Sequence, residues 1–268
     1  MHLFIPTRGR IDKQTTWDNF PESLRSHTTL ICPAEEVEEH RKRGRNVRGR
    51  PDYVKGISAS RQYIMESCPD DRFIMVDDDM KFFIRASEEA WNLKKAEGEE
   101  LTLLFQRMWA LTGGDDGYAA VGISTRQNIN AWYPHKIAEN CKINGVMGFS
   151  RSCIQELGVR FDDVNIQEDY HIVLSLLEAG YPNALIVDAA WNQSGETGAP
   201  GGCSTYRTKE LQEAGSRRLA ELHPQFVEVV EKEQKTAWGD LGSKRIDVKV
   251  YWKQAFKKGN RQPVQRSE

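Results

Sequence analysis

The chain has 268 residues, of which 39% are hydrophobic and 28% charged, so it can bury a substantial core, and disordered, collagen-like and coiled-coil chains are excluded. Its 37 Lys and Arg residues nearly balance 39 Asp and Glu residues, and the net charge of -2 argues against a protein that coats nucleic acid or an anionic membrane through its overall field. No apolar run approaches the ~20 residues that span a bilayer, and Met1–Arg10 lacks the hydrophobic segment of a signal peptide, so we expect a cytoplasmic protein.

Short apolar runs, four of which end at proline or aspartate, predict the strands. In chain order these are His2–Pro6, Thr28–Cys32, Arg72–Val76, Tyr118–Ile123, Gly145–Phe149 and Ala184–Val187. Helical periodicity predicts helices over Ala34–Arg43, Ser58–Ser67, Leu101–Leu111, Gln167–Ala179 and Glu210–Lys235, the last with a break near Pro224. This alternation favours an α/β fold with a mixed, mostly parallel sheet flanked by helices.

The organisation of the chain predicts one large domain with an extension. We place an α/β domain at residues 1–205 and a helical, basic C-terminal extension, packed on the same domain, at residues 206–268. The stretch Asn192–Ser204 is rich in glycine and small polar residues, which is typical of a long functional loop.

Three aspartates, Asp77, Asp78 and Asp79, follow the strongly apolar strand Arg72–Val76 directly. Carboxylates at the carboxyl end of a sheet strand point into the crevice where α/β folds bind ligands. Their mutual repulsion is relieved by a divalent cation, and Mg²⁺ or Mn²⁺ prefers such oxygen ligands and leaves positions open for phosphates. The pattern therefore predicts a metal site that receives a nucleotide diphosphate, and a solvated acidic turn is the alternative.

A second acidic group, Glu168 and Asp169, opens the helix Gln167–Ala179. Carboxylates at this position complement the helix dipole, which explains them without any function. In a cleft, the same placement suits a general base. The sequence does not give the distance between this pair and the aspartate triplet.

Two segments concentrate positive charge. Arg41–Arg50 holds six basic residues and two glycines, and Leu241–Glu268 holds eight basic residues against two acidic ones. With Tyr251, Trp252 and Phe256 in the tail, this predicts a surface that tracks phosphates and stacks on bases, while an ordinary solvated loop is the alternative for the first segment. The candidate DNA-binding residues are Arg43, Arg45, Arg48, Arg50, Lys244, Arg245, Lys257 and Lys258.

The order of these motifs over residues 2 to 192 resembles the GT-A family of nucleotide-sugar-dependent glycosyltransferases. The matching segments are Ile5–Arg10, Gly56–Gln62, Phe73–Asp79, Asn144–Phe149 and the pair Glu168 and Asp169. The resemblance implies a Rossmann-like nucleotide-sugar-binding sheet. It also implies that the triplet region is the D-x-D motif, in which Asp77 and Asp79 hold Mn²⁺ or Mg²⁺ and the donor diphosphate.

The same resemblance assigns further roles. Pro6, Thr7, Arg8 and Arg10 would border the donor nucleoside, Arg61 would reach the donor, and Asp78 would lean toward the ribose. Glu168 and Asp169 would form the acidic pair at the acceptor, with Asp169 as the base if the reaction inverts the anomeric centre. Many family members add a histidine ligand after this pair, and His223 and His171 are candidates by position only.

More narrowly, the chain resembles phage enzymes that add sugar to 5-hydroxymethylcytosine in DNA, including the TET-associated glycosyltransferase group. The opening Met1–Arg10, the Gly201–Gly202 loop with Tyr206 and Arg207, and the basic tail carry this resemblance. It implies a UDP-sugar donor, a DNA acceptor, the cytoplasm of a phage host and no membrane partner. A base in a duplex must be flipped out to reach the donor, and Trp132, Tyr133 and Trp191 are candidates for reading it, with core packing as the alternative.

Three other functions remain open. The acceptor could be a polysaccharide, a lipid-linked sugar or a protein. An acidic pair also suits a sugar-phosphate nucleotidyltransferase, although no glycine-rich N-terminal nucleotide loop is found. A DNA-binding protein with a structural acidic triplet is the alternative that is not an enzyme.

Overall fold

The computed structural model describes residues 1–87, 91–113, 117–193, 206–233 and 242–259. Its strands are β1 (Leu3–Pro6), β2 (Thr28–Pro33), β3 (Val47–Arg50), β4 (Arg72–Val76), β5 (Met80–Arg85), β6 (Leu93–Lys95), β7 (Ala120–Thr125), β8 (Ile137–Glu139), β9 (Val146–Ser150), β10 (Asn183–Gln193), β11 (Val227–Glu233) and β12 (Lys244–Val250). Its helices are α1 (Thr15–Asn19), α2 (Glu22–Arg25), α3 (Val37–Lys42), α4 (Gly56–Ser67), α5 (Gly98–Leu111), α6 (Arg151–Glu156), α7 (Glu168–Glu178), α8 (Lys209–Leu222) and α9 (Trp252–Lys258). No helix in these ranges is long and apolar enough to cross a membrane.

One mixed sheet organises the chain. Its strand order is β3-β2-β1-β4-β9-β7-β10-β5-β6, with β8 paired to β10. Strands β3, β2, β1 and β4 run parallel to one another, β7 and β10 run parallel, and β9 lies antiparallel between the two groups. The carboxyl ends of β1, β2, β3 and β4 therefore meet at one edge of the sheet, where α/β folds bind ligands.

The core lies on both faces of this sheet. Along β1, Leu3 and Ile5 point into one cluster of buried residues and Phe4 into the other, as the two-residue period of a strand requires. One cluster includes Ile64 of α4 and Ile172 of α7, and the other includes residues of α5. Both faces of the sheet are thus covered by helices.

The extension differs from its prediction in one respect. The helix predicted over Glu210–Lys235 ends at Leu222, and Val227–Glu233 is a strand that pairs antiparallel with β12. β-Branched residues favour a strand, which explains why this valine-rich segment leaves the helix. Leu219, Val248 and Ala255 are buried in the same cluster as α7.

Two other predicted segments differ in outline. Part of the arginine-rich segment Arg41–Arg50 is not a loop but the parallel strand β3. Of the loop predicted over Asn192–Ser204, the first two residues end β10, and the rest, with Gly201 and Gly202, lies outside the described ranges.

Candidate active site

The aspartate triplet lies at the carboxyl edge of the sheet, between β4 and β5. Helix α1 fixes its backbone, because the Thr16 hydroxyl donates to the Asp77 carbonyl at 2.5 Å and accepts from the Met80 amide at 2.9 Å. The carbonyl of Gly145 accepts from the Asp77 amide at 3.0 Å. Gly145 has φ +71°, and a Cβ there would lie 2.9 Å from the side chains of Met80 and Trp191, so glycine is required for this close approach.

Asp78 points inward, toward the loop after β1. Its carboxylate accepts from the Thr7 hydroxyl and from Arg10 Nη1, each at 2.5 Å. Burial raises the pKa of Asp78 to about 7, against the attraction of Arg10 and the Thr7 hydrogen bond. The residue expected to lean toward a ribose therefore gives both its oxygens to protein partners and joins the two loops that border the site.

Asp79 keeps one oxygen without a partner. Its Oδ2 lies 3.1 Å from Arg10 Nη1, whereas its Oδ1 is buried and has no hydrogen bond. Burial and the charge of Asp77 raise the pKa of this carboxyl. A buried carboxylate oxygen with no partner, two residues from a second carboxylate, fits a divalent cation such as Mg²⁺ or Mn²⁺. Within the described ranges, no group of three or more His, Cys, Asp and Glu side chains is arranged to hold a metal by itself.

The buried guanidinium of Arg61 joins the two acidic groups. From α4, its Nη2 lies 2.8 Å from Asp77 Oδ1 and its Nη1 lies 2.5 Å from Glu168 Oε1. A single arginine therefore bridges the start of α7 and the aspartate triplet. The sequence alone did not show that these two acidic groups lie so close together. The Ser58 hydroxyl, which donates to the Asn165 carbonyl at 2.9 Å, holds α4 against the segment before α7.

The acidic pair begins α7 directly after a strained residue. Gln167 adopts a left-handed conformation, with φ 68°, which costs free energy for a residue other than glycine and is common at functional sites. Burial raises the pKa of the Asp169 carboxyl, and the charges of Arg61 and Lys142 oppose that rise. Glu168 is fully buried on Arg61, whereas Asp169 is half-buried. Of the two, Asp169 is the carboxylate that an acceptor can reach.

The carboxyl edge of the sheet also gathers residues from three further strand ends. Glu36, after β2, accepts from the Gly9 amide at 2.9 Å. Arg50, at the end of β3, is buried, and its pKa is lowered by burial and by the neighbouring charge of Arg8. Pro6 ends β1 and leads into Thr7 and Arg8. Glu36 was not named from the sequence, and Arg50 was named as a candidate DNA-binding residue. The structure places Arg50 near Arg8, a predicted donor-binding residue.

His223, a predicted metal ligand, uses both of its ring nitrogens in contacts with other protein groups. Its Nδ1 lies 2.6 Å from Glu178 Oε1 and its Nε2 lies 2.9 Å from His171 Nδ1, while His171 Nε2 lies 3.3 Å from Asp163. Both histidines are buried, and their four ring nitrogens contact each other, Glu178 and Asp163, not Asp77 or Asp79. The pair joins α7 to the end of α8.

Most of the predicted DNA-binding residues have partners within the protein. Arg43 pairs with Asp12 at 2.7 Å, Lys244 with Glu231 at 2.8 Å and Arg245 with Asp247 at 2.9 Å. The Arg45 side chain is buried and donates to the Ile11 carbonyl, Arg48 is exposed on β3 two residues before the buried Arg50, and Lys257 and Lys258 are exposed on the last turn of α9. Of the eight residues, two have buried side chains and three pair with carboxylates, so together they do not form a surface of unpaired charge.

The aromatic candidates also separate. Trp191 is a core residue, since it is buried and its Nε1 donates to the Ile123 carbonyl at 2.9 Å. Trp132 packs against the cluster that contains α7. Tyr133 lies at the surface, 5.1 Å from the ring of Trp91.

The comparisons with known proteins agree with this architecture. A family model described as TET-Associated Glycosyltransferase matches residues 1–202. No curated protein matches the sequence. Among solved structures, glucosyl-3-phosphoglycerate synthase from Mycobacterium tuberculosis in complex with Mg²⁺ and UDP has a TM-score of 0.51 and 10% identity, over 91% of this chain and 89% of that one.

Two further structures are similar in fold. The same synthase in complex with Mn²⁺, UDP-glucose and phosphoglyceric acid has a TM-score of 0.50 and 10% identity, over 91% and 88% of the two chains. TarS 1-349 from S. aureus in complex with UDP-GlcNAc has a TM-score of 0.50 and 11% identity, over 82% and 67%. These neighbours are GT-A glycosyltransferases, so the predicted fold class is confirmed.

Proposed function

Because the chain belongs to the TET-associated glycosyltransferase family, we propose that it moves a sugar from a nucleotide diphosphate sugar to 5-hydroxymethylcytosine in DNA, in a reaction that depends on Mn²⁺ or Mg²⁺. The donor is a UDP-sugar, as in the complexes of the synthase and of TarS with UDP or a UDP-sugar. The family match supports a DNA acceptor, and so does the resemblance of the sequence to phage enzymes that modify DNA.

The donor binds at the carboxyl ends of β1 to β4. Thr7, Arg8 and Arg10 border its nucleoside and diphosphate, and the buried Arg50 adds a positive charge beside the exposed Arg8. Asp77 and Asp79 hold the cation, and the Asp79 oxygen that has no partner supports this assignment. When bound, the cation offsets the negative charge that grows on the leaving diphosphate.

The acceptor hydroxyl is placed against Asp169. Its oxygen forms a bond to the anomeric carbon as the bond from that carbon to the diphosphate oxygen breaks, and its proton passes to the Asp169 carboxylate if the configuration inverts. Arg61 holds Glu168 and Asp77 in fixed positions, so that the base and the diphosphate site keep their separation.

One observation carries this proposal. Arg61 contacts a carboxylate of the triplet and a carboxylate of the α7 pair at once, although these residues are 16 and 107 positions away in the chain. If the triplet were only a solvated acidic turn, it would not contact a buried arginine. If Glu168 only complemented the helix dipole, it would not be joined to the triplet.

The test is transfer to defined DNA. Purified protein is incubated with a panel of UDP-sugars, with Mn²⁺, Mg²⁺ or a chelator, and with DNA that contains cytosine or 5-hydroxymethylcytosine. Mass spectrometry of the digested nucleosides should show a hexose or N-acetylhexosamine gain on the modified DNA alone, and none with chelator. Release of UDP with no DNA product would leave the glycosyltransferase and overturn the acceptor.

A further inference from the structure

Strand β5 carries a surface on which arginines and aromatic rings alternate, formed by Phe83, Arg85, Trp91, Arg126 and Tyr133, here called the arginine–aromatic face. The Arg126 guanidinium lies 4.3 Å from the centre of the Phe83 ring, and that of Arg85 lies 5.3 Å from the Tyr133 ring. The rings of Tyr133 and Trp91 are 5.1 Å apart and inclined by 33°.

This face is separate from the core. Phe83 and Arg85 are two residues apart on β5 and so share one side of the strand, whereas Phe82 points to the other side and packs on Phe20 and Phe105. Trp91 is 57% exposed, an unusual cost for so large an apolar side chain. The exposed ring offers a stacking surface to a partner.

The positive charges on this face are not neutralised by carboxylates. Arg85 donates to the carbonyls of Trp91 and Ile129, at 3.0 and 3.1 Å, and to the Asn130 side-chain oxygen at 2.5 Å, all of them neutral. Arg126 is exposed and forms no ion pair with any carboxylate in the described part of the chain. Both guanidinium groups are fixed by stacking on rings while their charge remains available to an anion.

The face also begins at the active site. Met80, the first residue of β5, directly follows Asp79, and the Arg126 amide donates to the Trp191 carbonyl at 2.8 Å where β7 and β10 end. The six residues of β5 span about 20 Å, which corresponds to about six nucleotide steps of a DNA strand. A strand whose target base entered the site would pass along this face.

We propose that the arginine–aromatic face binds the DNA strand that flanks the target nucleotide, with Arg85 and Arg126 on phosphates and an unpaired base stacked on Trp91. The inference rests on the proposed function and names how its acceptor is held. Guanidinium groups and aromatic planes are the groups that single-stranded nucleic acid requires, and two arginines without counter-charges favour a polyanion over a neutral glycan.

The test compares three variants in DNA binding by fluorescence anisotropy, at several salt concentrations and without donor. Trp91→Ala should weaken binding of a single-stranded oligonucleotide about tenfold. Arg85→Gln with Arg126→Gln should reduce the slope of log affinity against log salt by about 1.4, because each phosphate contact contributes about 0.7. Arg217→Gln with Arg218→Gln removes two exposed arginines that pair with Glu213 and Glu221 on α8; it is the charge-matched control and should change neither.

UDP binding, measured by calorimetry in the same proteins, separates this inference from the proposed function. Unchanged UDP binding with weakened DNA binding supports the face. Wild-type DNA binding that none of the three substitutions alters overturns it and leaves DNA as the acceptor. A wild-type protein that binds UDP but no DNA overturns both the face and the DNA acceptor, and transfer to an oligosaccharide would then identify the other acceptor class.

Discussion

The donor edge of the sheet, at the carboxyl ends of β1 to β4, and the arginine–aromatic face both contain arginines. Among the described residues, the arginines are paired with carboxylates at the donor edge but not on the face. At the donor edge, Arg10 contacts Asp78 and Asp79, and Arg61 contacts Asp77 and Glu168. On β5, Arg85 contacts only neutral groups in the described structure. A network of paired charges has its geometry fixed before substrate binds, whereas unpaired charges attract a polyanion.

The largest effect on turnover is expected at the donor edge. Asp79→Asn replaces the carboxylate whose Oδ1 has no protein partner with an amide, a weaker ligand for Mg²⁺ or Mn²⁺. We expect a loss of turnover of about 10⁴-fold or more, since metal stabilisation of the leaving group is worth several kcal/mol. Calorimetry should show that Mn²⁺ no longer strengthens UDP binding.

The matched control is Asp188→Asn, which removes a carboxylate paired with Arg107 between α5 and β10. It should leave both turnover and the effect of Mn²⁺ intact. Full turnover of Asp79→Asn would show that the donor edge needs no cation at this residue.

The next prediction concerns Asp169, which follows the paired Glu168 in the chain and is the proposed base for the acceptor. Asp169→Asn should lower kcat by about 10²- to 10⁴-fold if the reaction inverts the anomeric centre. The wild-type rate should fall as the pH drops, since a base must be deprotonated, and burial raises the Asp169 pKa so that this fall comes at a higher pH than for an ordinary carboxyl. The charges that face it are those of Arg61, Lys142, Glu168 and Asp77.

A pH profile of kcat, measured for the wild type and for Asp169→Asn, checks this assignment together with the anomeric configuration of the product. The variant should lose the acidic limb. An inverted product made by Asp169→Asn at the wild-type rate would contradict the role of base.

Arg61→Lys sharpens the comparison by weakening the link between the two acidic groups while keeping the charge. A lysine ammonium is a point charge and does not reproduce the fork that reaches Asp77 and Glu168 together. We expect kcat to fall about 10²-fold through misplacement of reacting groups, with DNA affinity unchanged. Arg107→Lys, which alters the pair with Asp188, is the control and should keep kcat; equal losses in both variants would remove the special role of Arg61.

Several parts of this arrangement were readable in the sequence. The apolar run before Asp77 predicted β4 and its ligand-facing end, and α7 was predicted within one residue at each end. The contact of Arg61 with both acidic groups was not readable, because it joins residues far apart in the chain. Strand β5 was not predicted, because it begins directly after the triplet with no glycine or proline to mark its start. The stacking of Arg85 on Tyr133 was therefore not predicted either.

The basic segment Arg41–Arg50 shows why a count of basic residues does not give the unpaired charge of a surface. Its helix α3 carries Glu38 and Glu39 three or four residues before Arg41, Lys42 and Arg43, the spacing at which helical side chains form ion pairs. The segment holds six basic residues, but the two glutamates that pair with three of them lie just before it in the sequence. We therefore expect unpaired basic residues to predict a DNA-binding surface better than the number of basic residues does.

The smallest expected effect tests that point directly. Arg43 pairs with Asp12 at 2.7 Å and with Glu39 at 3.1 Å, so its charge is already met within the protein. Arg43→Gln should change DNA affinity less than twofold and leave its salt dependence unaltered, whereas Arg85→Gln alone should reduce the salt slope by about 0.7. Measuring both variants on one oligonucleotide, with Arg218→Gln as reference, isolates pairing from charge number, since each loses one positive charge. If Arg43→Gln reduced the slope as much as Arg85→Gln, intramolecular pairing would not screen an arginine from DNA, and the segment Arg41–Arg50 would belong to the acceptor surface.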